Sequence, residues 1–311
     1  MNQNMTLGQR MKRDLTYTWT MIKKNKVRYL FIAPYMILFF AFTICPVVIS
    51  VYLSFTYFNM LEAPRFIGFD NYFRMFITDD IFVKALGNTL MFAIITGPVG
   101  YMISLIMAWL INELPRAVRV VITVLLYAPS LTGGMTDLFK IIFSSDAMGY
   151  LNANLIQLGI ITEPIRYLEN PTYLIPVIIF VILWGSLGTS FLSFIGGLQG
   201  IDRQYYEAGA IDGIKNRWQE LWYITLPLMK PQLLFGAVMS ITGSFNIGSI
   251  ISGLGGNPTV DYCAHTLMQH LQDFGSTRFE MGYSSAIATF MFLVMIGLNK
   301  IIQKLLSKVG E

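Results

Sequence analysis

The sequence predicts an all-α integral membrane protein with six transmembrane helices, an N-terminal interfacial helix and a polar helix in a cytoplasmic loop. The first observation is composition, since 54% of the 311 residues are hydrophobic and 13% are charged, whereas soluble domains carry about 25% charged residues. The second is a series of long apolar runs, and the third is an uneven distribution of Lys and Arg. A soluble fold this apolar would expose large hydrophobic patches, so a bilayer is the expected solvent.

Six apolar runs are long enough to cross a bilayer, because about 20 helical residues rising about 1.5 Å each span its hydrocarbon core. They cover residues 29–55, 88–111, 117–143, 173–198, 232–254 and 281–306. The third run is interrupted by the sequence APSLTGG and contains Asp137. The runs do not alternate apolar and polar residues, which excludes a transmembrane β-barrel.

The distribution of Lys and Arg predicts the orientation of these spans. With six spans, the N-terminal tail, the loop with Arg116 and Arg119, residues 199–231 and the C-terminal tail share one side. These segments hold seven, two, four and three of the 22 basic residues, and the opposite side holds six. The more basic side is cytoplasmic by this rule, so both termini are predicted to be cytoplasmic.

The domain organisation follows from the same pattern. Residues 1–28 form a cytoplasmic tail, in which residues 15–28 mix aromatic and aliphatic side chains with lysines. That mixture is typical of a helix on the inner membrane surface, and a disordered basic tail is the alternative. Residues 29–311 form a single transmembrane domain with a cytoplasmic loop at 199–231. The connecting segments on the other side are too short for an independent domain.

The loop contains the polar segment YYEAGAIDGIKNRWQELWYITLPLMKP, residues 205–231, between two membrane-length runs. Its helical spacing predicts one apolar face, which carries Ile211, Ile214, Trp218, Leu221 and Trp222. Gly213 can end one short helix and begin another at an angle. By residue chemistry alone, the segment is either a docking helix or an amphipathic loop that seals the bundle.

Three motifs in the loop carry a family resemblance. EAG at 207–209, Gly213 and ITLP at 224–227 resemble the EAA…G…I-LP loop of permease subunits in ATP-binding-cassette (ABC) importers. Gly209 stands where that family usually has its second alanine. FIGFDNYFRMF, LLYAPSL and FEMGYSSAIA elsewhere in the chain are similar to the maltose, oligosaccharide and glycerol-phosphate branch. The resemblance implies the permease fold of type I importers, in a bacterial cell membrane.

The resemblance also implies a mechanism and partners. In the family this loop forms a coupling helix that docks on an ATP-hydrolysing subunit, present in two copies. The matching positions are Glu207, Ala208, Gly209, Asp212 and Gly213. The chain has no GxxxxGK[ST] pattern, so it is predicted to be a permease without its own ATPase site and without a cofactor. A second, usually different, permease subunit and an extracellular solute-binding protein are the other implied partners, with no role for nucleic acid.

Candidate substrate-path residues lie inside the spans. The resemblance implies substrate contacts at Tyr127, Ser130, Gly185, Ser186 and Asn246. Residue chemistry adds Trp184, Ser244 and Ser249, because aromatic faces stack on sugar rings and hydroxyl groups bind sugar hydroxyls. Lys and Arg are absent from the centres of the runs, so no cation there is ready to hold a fully ionic substrate. The resemblance implies a sugar, an oligosaccharide in particular. The alternative is that the hydroxyls bond to the backbone of their own helices.

A rival function is an ion-coupled secondary transporter, which is expected to have paired broken helices or a buried carboxylate relay. Asp137 is the single acid within a span, and an ion pair with Lys140 at i+3 is the simpler explanation for it. An integral membrane enzyme has no support, because HExxH and GxSxG patterns are absent. His265 and His270 lie in an outer loop without a third ligand, so we expect a solvated pair and no metal site.

Overall fold

The computed structural model describes residues 21, 24–131 and 135–306, in two compact units, Met1–Leu53 and Ser54–Glu311. Most of the interfacial helix predicted at 15–28 lies outside the described residues. The first unit contains one long helix, α1 (Lys26–Leu53), which has a π-helical turn at Phe40–Ile44. The sequence predicted this span at 29–55. None of its residues is buried, as suits an apolar helix whose solvent is lipid.

The second unit is a helical bundle with one small hairpin. Strands β1 (Thr56–Tyr57) and β2 (Arg65–Phe66) pair antiparallel. The helices are α2 (Asp70–Phe73), α3 (Asp80–Asn112), α4 (Arg116–Leu131), α5 (Met135–Ile142), α6 (Tyr150–Gln157), α7 (Pro171–Trp184), α8 (Thr189–Gln199), α9 (Arg203–Ile211), α10 (Arg217–Glu220), α11 (Leu226–Leu228), α12 (Lys230–Phe245), α13 (Gly248–Gly255), α14 (Leu267–Gln272) and α15 (Met281–Leu306). Further π turns lie at Arg74–Thr78, Leu221–Thr225 and Asp273–Thr277, and a 3-10 turn at Val260–Tyr262.

The spans agree with six predicted runs, but several are interrupted. Among the described residues, five segments are long and apolar enough to cross a membrane, and α4 with α5 makes a sixth if the pair is counted as one span. The axes of α4 and α5 differ by 84°, at the APSLTGG sequence that interrupts the run. The predicted spans at 173–198 and 232–254 are each two helices, α7–α8 and α12–α13, which the sequence pattern did not indicate.

Helix α3 begins eight residues earlier than its apolar run, at Asp80 and not at residue 88. The Asp79 carboxylate accepts a hydrogen bond from the backbone N–H of Phe82 at 2.9 Å and so caps the helix. Hydropathy detected the part of the helix suited to hydrocarbon, whereas the cap determines where the helix starts.

Three clusters of buried side chains hold the second unit together. One joins α3 to α7 and α13 around Phe92, Ile178 and Ile251. A second joins the start of α3 to α14 and α15 around Phe82 and Tyr283. The third joins the last part of α3 to α8 and α12, and includes Tyr101, Phe191, Phe194, Met229 and Leu233. The first two clusters therefore contact the first half of α3 and the third contacts its last part.

Two glycines on α3 bring it close to the interrupted spans. A Cβ atom on Gly97 would lie 3.1 Å from the Ser244 hydroxyl oxygen, and one on Gly100 would lie 3.0 Å from the Ser186 Cβ atom. Larger residues would push the helices apart, so these glycines allow α3 to pack tightly against both spans beside their interruptions.

Candidate functional site

A cavity of about 690 Å³ lies where the broken spans meet α3. The lining residues are mostly small or hydroxyl-bearing, and come from α3, α4, α5, α7, α8, α12 and α13. The helix of one span is interrupted at 185–188, between α7 and α8, and that of another at 246–247, between α12 and α13. Both interruptions border the cavity. Helix ends leave backbone N–H and C=O groups without helical partners, so the breaks add polar groups to the cavity wall.

Six of the eight predicted substrate-path residues line this cavity. They are Ser130, Gly185, Ser186, Ser244, Asn246 and Ser249. The sequence placed them in three separate runs, and the fold brings them together. Their contact with a substrate remains a prediction.

The two predicted aromatic residues do not line the cavity. Trp184 is 51% exposed and its ring packs against Phe139 and Phe180, with centroids 6.2 and 6.3 Å away. Tyr127 is absent from the lining, although its backbone carbonyl accepts a bond from Ser130. Substrate stacking by Tyr127 and Trp184 stays a prediction, and this cavity adds no support to it.

The serine hydroxyls at the cavity donate hydrogen bonds to backbone carbonyls and can still accept hydrogen bonds from a ligand. Ser130, Ser186 and Ser244 donate to carbonyls three or four residues earlier, at 2.7, 2.7 and 2.8 Å. A hydroxyl that donates retains oxygen lone pairs that can accept from a ligand. Asn246 and Ser249 make no side-chain hydrogen bond with another described residue, so both retain donors as well.

Asp137 also lines the cavity, contrary to the ion-pair explanation drawn from sequence. Its side chain forms no ion pair with Lys140, although both residues are described and both are exposed. The i+3 spacing allows a pair but does not enforce it. The first residues of α5 instead pack against the broken spans, which leaves Asp137 at the cavity wall.

The polar loop consists of two short helices and not one. Helix α9 ends at Ile211, and Gly213 follows with φ of +95°, a conformation that L side chains rarely adopt. The N–H of Ile214 donates to the Gly209 carbonyl at 2.9 Å and the N–H of Gly213 to the Ala210 carbonyl at 3.4 Å. These bonds form a Schellman motif, which confirms the prediction that Gly213 ends a helix.

This break also overturns the single apolar face predicted for the loop. Ile211 and Trp218 lie on different helices, and Ile211 is 88% exposed. On α9, the predicted coupling residues Glu207 and Ala208 are exposed, as are Asp212 and Gly213 after it. Gly209 is the exception, because it is buried and a Cβ atom there would lie 2.5 Å from the Ile224 side chain. Its small size serves packing within the chain.

Ionic and aromatic contacts hold the loop to the end of α3. The Arg217 guanidinium contacts Glu113, just after α3, at 3.0 Å and Glu220 at 2.7 Å. The hydrogen bond to Glu220 and the charge of Glu113 raise the pKa of Arg217. The rings of Trp109, on α3, and Trp218 lie 5.1 Å apart. The loop is thus attached to α3 beside an exposed polar surface.

A buried polar cluster lies at the other end of α3, and sequence reasoning missed it. The Asp79 carboxylate lies 3.0 Å from His270 Nε2 and accepts a bond from the Tyr283 hydroxyl at 2.7 Å. Burial alone would raise the pKa of Asp79, but the hydrogen bonds from His270, Tyr283 and the Phe82 N–H outweigh it and hold that pKa below its usual range. We call these residues the Asp79 cluster.

The two histidines are buried, which contradicts the expectation of a solvated pair. His265 and His270 are each 2% exposed, with ring centroids 5.6 Å apart. Burial, followed by the nearby His270, lowers the pKa of His265 to about 4. Arg74 stacks 4.3 Å above the Tyr283 ring and donates to Glu280, which closes the cluster on its outer side. Among the described residues, no group of three or more His, Cys, Asp or Glu side chains is arranged to hold a metal.

Comparison with known proteins agrees with this architecture. Residues 100–308 match the family described as "Binding-protein-dependent transport system inner membrane component". The chain is 34% identical over 286 residues to "Probable ABC transporter permease protein YesP" of Bacillus subtilis, covering 90% of both proteins.

Further relatives are permeases with named substrates. "Lactose transport system permease protein LacF" of Rhizobium radiobacter is 29% identical, over 88% of this chain and 92% of LacF. "Arabinooligosaccharides transport system permease protein AraP" of Bacillus subtilis is also 29% identical, over 94% and 91% of the two chains.

A solved structure shares the fold. It is a bacterial ABC transporter involved in the import of the acidic polysaccharide alginate, and the match has a TM-score of 0.78 at 21% identity. The match covers 95% of this chain and 100% of that one. The chain therefore belongs to the binding-protein-dependent transport system inner membrane components and is a multi-pass permease subunit of an ABC importer.

Proposed function

We propose that this chain forms half of the translocation path for a sugar, an oligosaccharide in particular, which an extracellular solute-binding protein delivers. The cavity at the two breaks carries the proposal, because its hydroxyl, amide and backbone groups are suited to a polyhydroxylated ligand. The lactose and arabinooligosaccharide permeases among the relatives support the same class of substrate.

The surrounding assembly follows from the family. A second permease subunit, usually a different chain, completes the path, and two ATPase subunits supply the energy. The description of the family as binding-protein-dependent and the solved alginate transporter in complex with a pentasaccharide-bound periplasmic protein support the solute receptor. The basic residues support cytoplasmic termini and a cytoplasmic 199–231 loop.

The 199–231 loop is the proposed coupling site. Glu207, Ala208 and Asp212 are exposed and carry no contact that the core requires, so an ATPase subunit can dock against them. Glu207 forms an exposed i,i+4 ion pair with Arg203 at 3.3 Å, and such pairs are weak enough to be exchanged for a partner's basic group. Gly209 contributes indirectly, because its packing on Ile224 determines how α9 is presented.

Broken helices were expected for the rival ion-coupled transporter, so their presence does not separate the two functions. The energy source of transport does separate the ABC importer from the ion-coupled transporter. We expect transport only in the complete complex with ATP, because the family uses separate ATPase subunits. Transport by the purified chain, driven by an ion gradient, would overturn the proposal.

The decisive variant is Glu207→Lys in the reconstituted complex. We expect normal membrane insertion but loss of substrate-stimulated ATP hydrolysis and of transport, because the reversed charge repels the docking subunit. Arg203→Ala is the matched control, since it breaks the same ion pair while leaving the Glu207 carboxylate in place. Unchanged coupled transport in Glu207→Lys, or equal loss in Arg203→Ala, would contradict the assigned role of Glu207.

A further inference from the structure

The described lining of the cavity carries one charged group. Among the described lining residues, Asp137 is the single ionisable side chain, and the others are apolar, amide, hydroxyl or glycine residues. Its carboxylate is exposed to the cavity and forms no hydrogen bond or ion pair with another described residue. No Lys or Arg in the described lining offsets this negative charge.

The two residues before Asp137, Met135 and Thr136, hold it in this position by packing against other helices. A Cβ atom built on Gly185, at the first break, would lie 2.8 Å from the Met135 methyl group. The Thr136 side chain packs in the same way against Gly253 of α13. The first turn of α5 thus packs between both broken spans, and Asp137 lines the same cavity as the two breaks.

A carboxylate in a partly enclosed site acts differently on neutral and acidic sugars. It is an acceptor that can bind one or two sugar hydroxyls through charge-assisted hydrogen bonds. It repels a second carboxylate nearby, and this repulsion is larger in a protein cleft than in water. Repulsion of the wrong ligand is a common source of specificity.

The shared fold does not determine the charge of the cargo. The solved transporter with the same architecture imports an acidic polysaccharide, so this architecture is compatible with acidic ligands. Any selection made by the permease itself must then come from the side chains of the path, and Asp137 is the charged one among the described lining residues.

We propose that Asp137 selects uncharged saccharides, by accepting hydrogen bonds from their hydroxyls and by repelling the carboxylates of uronate-containing saccharides. This inference rests on the proposed function. It assigns to Asp137 direct contact with the substrate.

The test measures binding to the complete permease–ATPase complex in nanodiscs, with the solute receptor omitted so that it cannot filter the ligands. The probes are pairs of equal length and linkage: galactotriose with trigalacturonate, mannotriose with trimannuronate, and cellotriose with its triuronate. We expect wild type to bind the neutral member of at least one pair about tenfold more tightly than its uronate.

Four variants test the role of the charge. Asp137→Asn is expected to raise uronate affinity about tenfold and to change neutral affinity less than threefold, because the amide keeps an acceptor. Asp137→Ala should weaken the neutral ligand about tenfold. Asp137→Glu should retain the preference, and it also shows that the position tolerates substitution. Lys140→Gln removes a charge from α5 outside the described lining and should alter the preference less than twofold.

The outcomes separate this inference from the proposed function. Equal or tighter uronate binding by wild type, or an unchanged preference in Asp137→Asn, overturns the selection role while saccharide binding itself stands. If wild type binds no member of any pair, both proposals fail.

Discussion

The two ends of α3 both carry charged side chains, but they use them differently. At the Asp79 cluster, His270 and Asp79 have side chains that are 3% and 11% exposed, and each has partners within the chain. At the 199–231 loop, Arg217 and Glu113 have side chains that are 62% and 42% exposed. Buried pairs are costly to break, whereas exposed pairs exchange partners at little cost. One end is therefore fixed by partners within the chain, and the other, which is the proposed docking site, has contacts that can be exchanged.

Removal of the Asp79 carboxylate should have the largest effect on stability. In Asp79→Ala, His270 and Tyr283 lose their acceptor and α3 loses its cap, so we expect a loss of about 3–5 kcal/mol in the free energy of unfolding. Chemical denaturation of the purified protein in detergent measures it. Asp80→Ala is the control, since Asp80 is the exposed neighbour. Equal effects of the two variants would remove the distinction between the ends of α3.

The pH dependence of stability sharpens the same contrast. The pKa of His265 is about 4 in the fold, against about 6.5 when unfolded, so the unfolded chain takes up a proton first as pH falls. The contribution of neutral His265 to the free energy of unfolding is therefore present above a pH of about 6.5 and is lost as the pH falls toward 4. We expect a loss of about 2 kcal/mol between pH 7.5 and 5.

The measurement is chemical denaturation at both pH values, in wild type and in His265→Gln. The variant should lose much less stability between the two pH values than wild type does, because glutamine does not titrate. The lowered pKa of Asp79 makes the fold lose stability only as the pH falls below the ordinary Asp pKa of about 3.9, which lies outside the measured pH range. An equal loss of stability in His265→Gln would show that another group is responsible.

Breaking the exposed pair at the loop should have the smallest effect on stability. Glu113→Gln is expected to cost less than about 1 kcal/mol, yet to lower the amount of substrate transported per ATP hydrolysed, because Arg217 attaches the loop to α3. Transport and ATP hydrolysis are measured together in liposomes.

A matched ion pair at the other end provides the control. Arg278 and Asp273 lie 2.8 Å apart with side chains 48% and 27% exposed. Asp273→Asn should change stability as little as Glu113→Gln, but should leave the ratio of transport to hydrolysis unchanged. A similar loss of coupling in both variants would contradict a specific role for the loop attachment.

The spans were predictable because hydropathy responds to the solvent around a helix. The last span, 281–306, coincides with α15, and Gly213 ends its helix as its conformational freedom predicted. The breaks at 185–188 and 246–247 were not predictable, because averaging over a membrane-length window conceals a few residues of irregular backbone. Such breaks are tolerated where they line a cavity, and a cavity exists only once several helices have packed.

The polar contacts were missed for a related reason. Asp79 and His270 are 191 positions apart, so no local pattern connects them. Lys140 and Asp137 are three apart and were expected to pair, yet packing of Met135 and Thr136 on the broken spans decided where Asp137 lies. Local spacing shows which contacts are possible, and tertiary packing determines which of them form.

Irregular backbone in the second unit is concentrated around the cavity. Pro98 lies on α3 between the lining residues Thr96 and Gly100, and the two helix breaks and the facing ends of α4 and α5 also contribute lining residues. Helix α15, by contrast, runs from Met281 to Leu306 without a proline and contributes no residue to the described lining of the cavity. We therefore expect that any movement between these spans bends them beside the cavity, where the helical hydrogen bonding is already interrupted, and leaves α15 continuous.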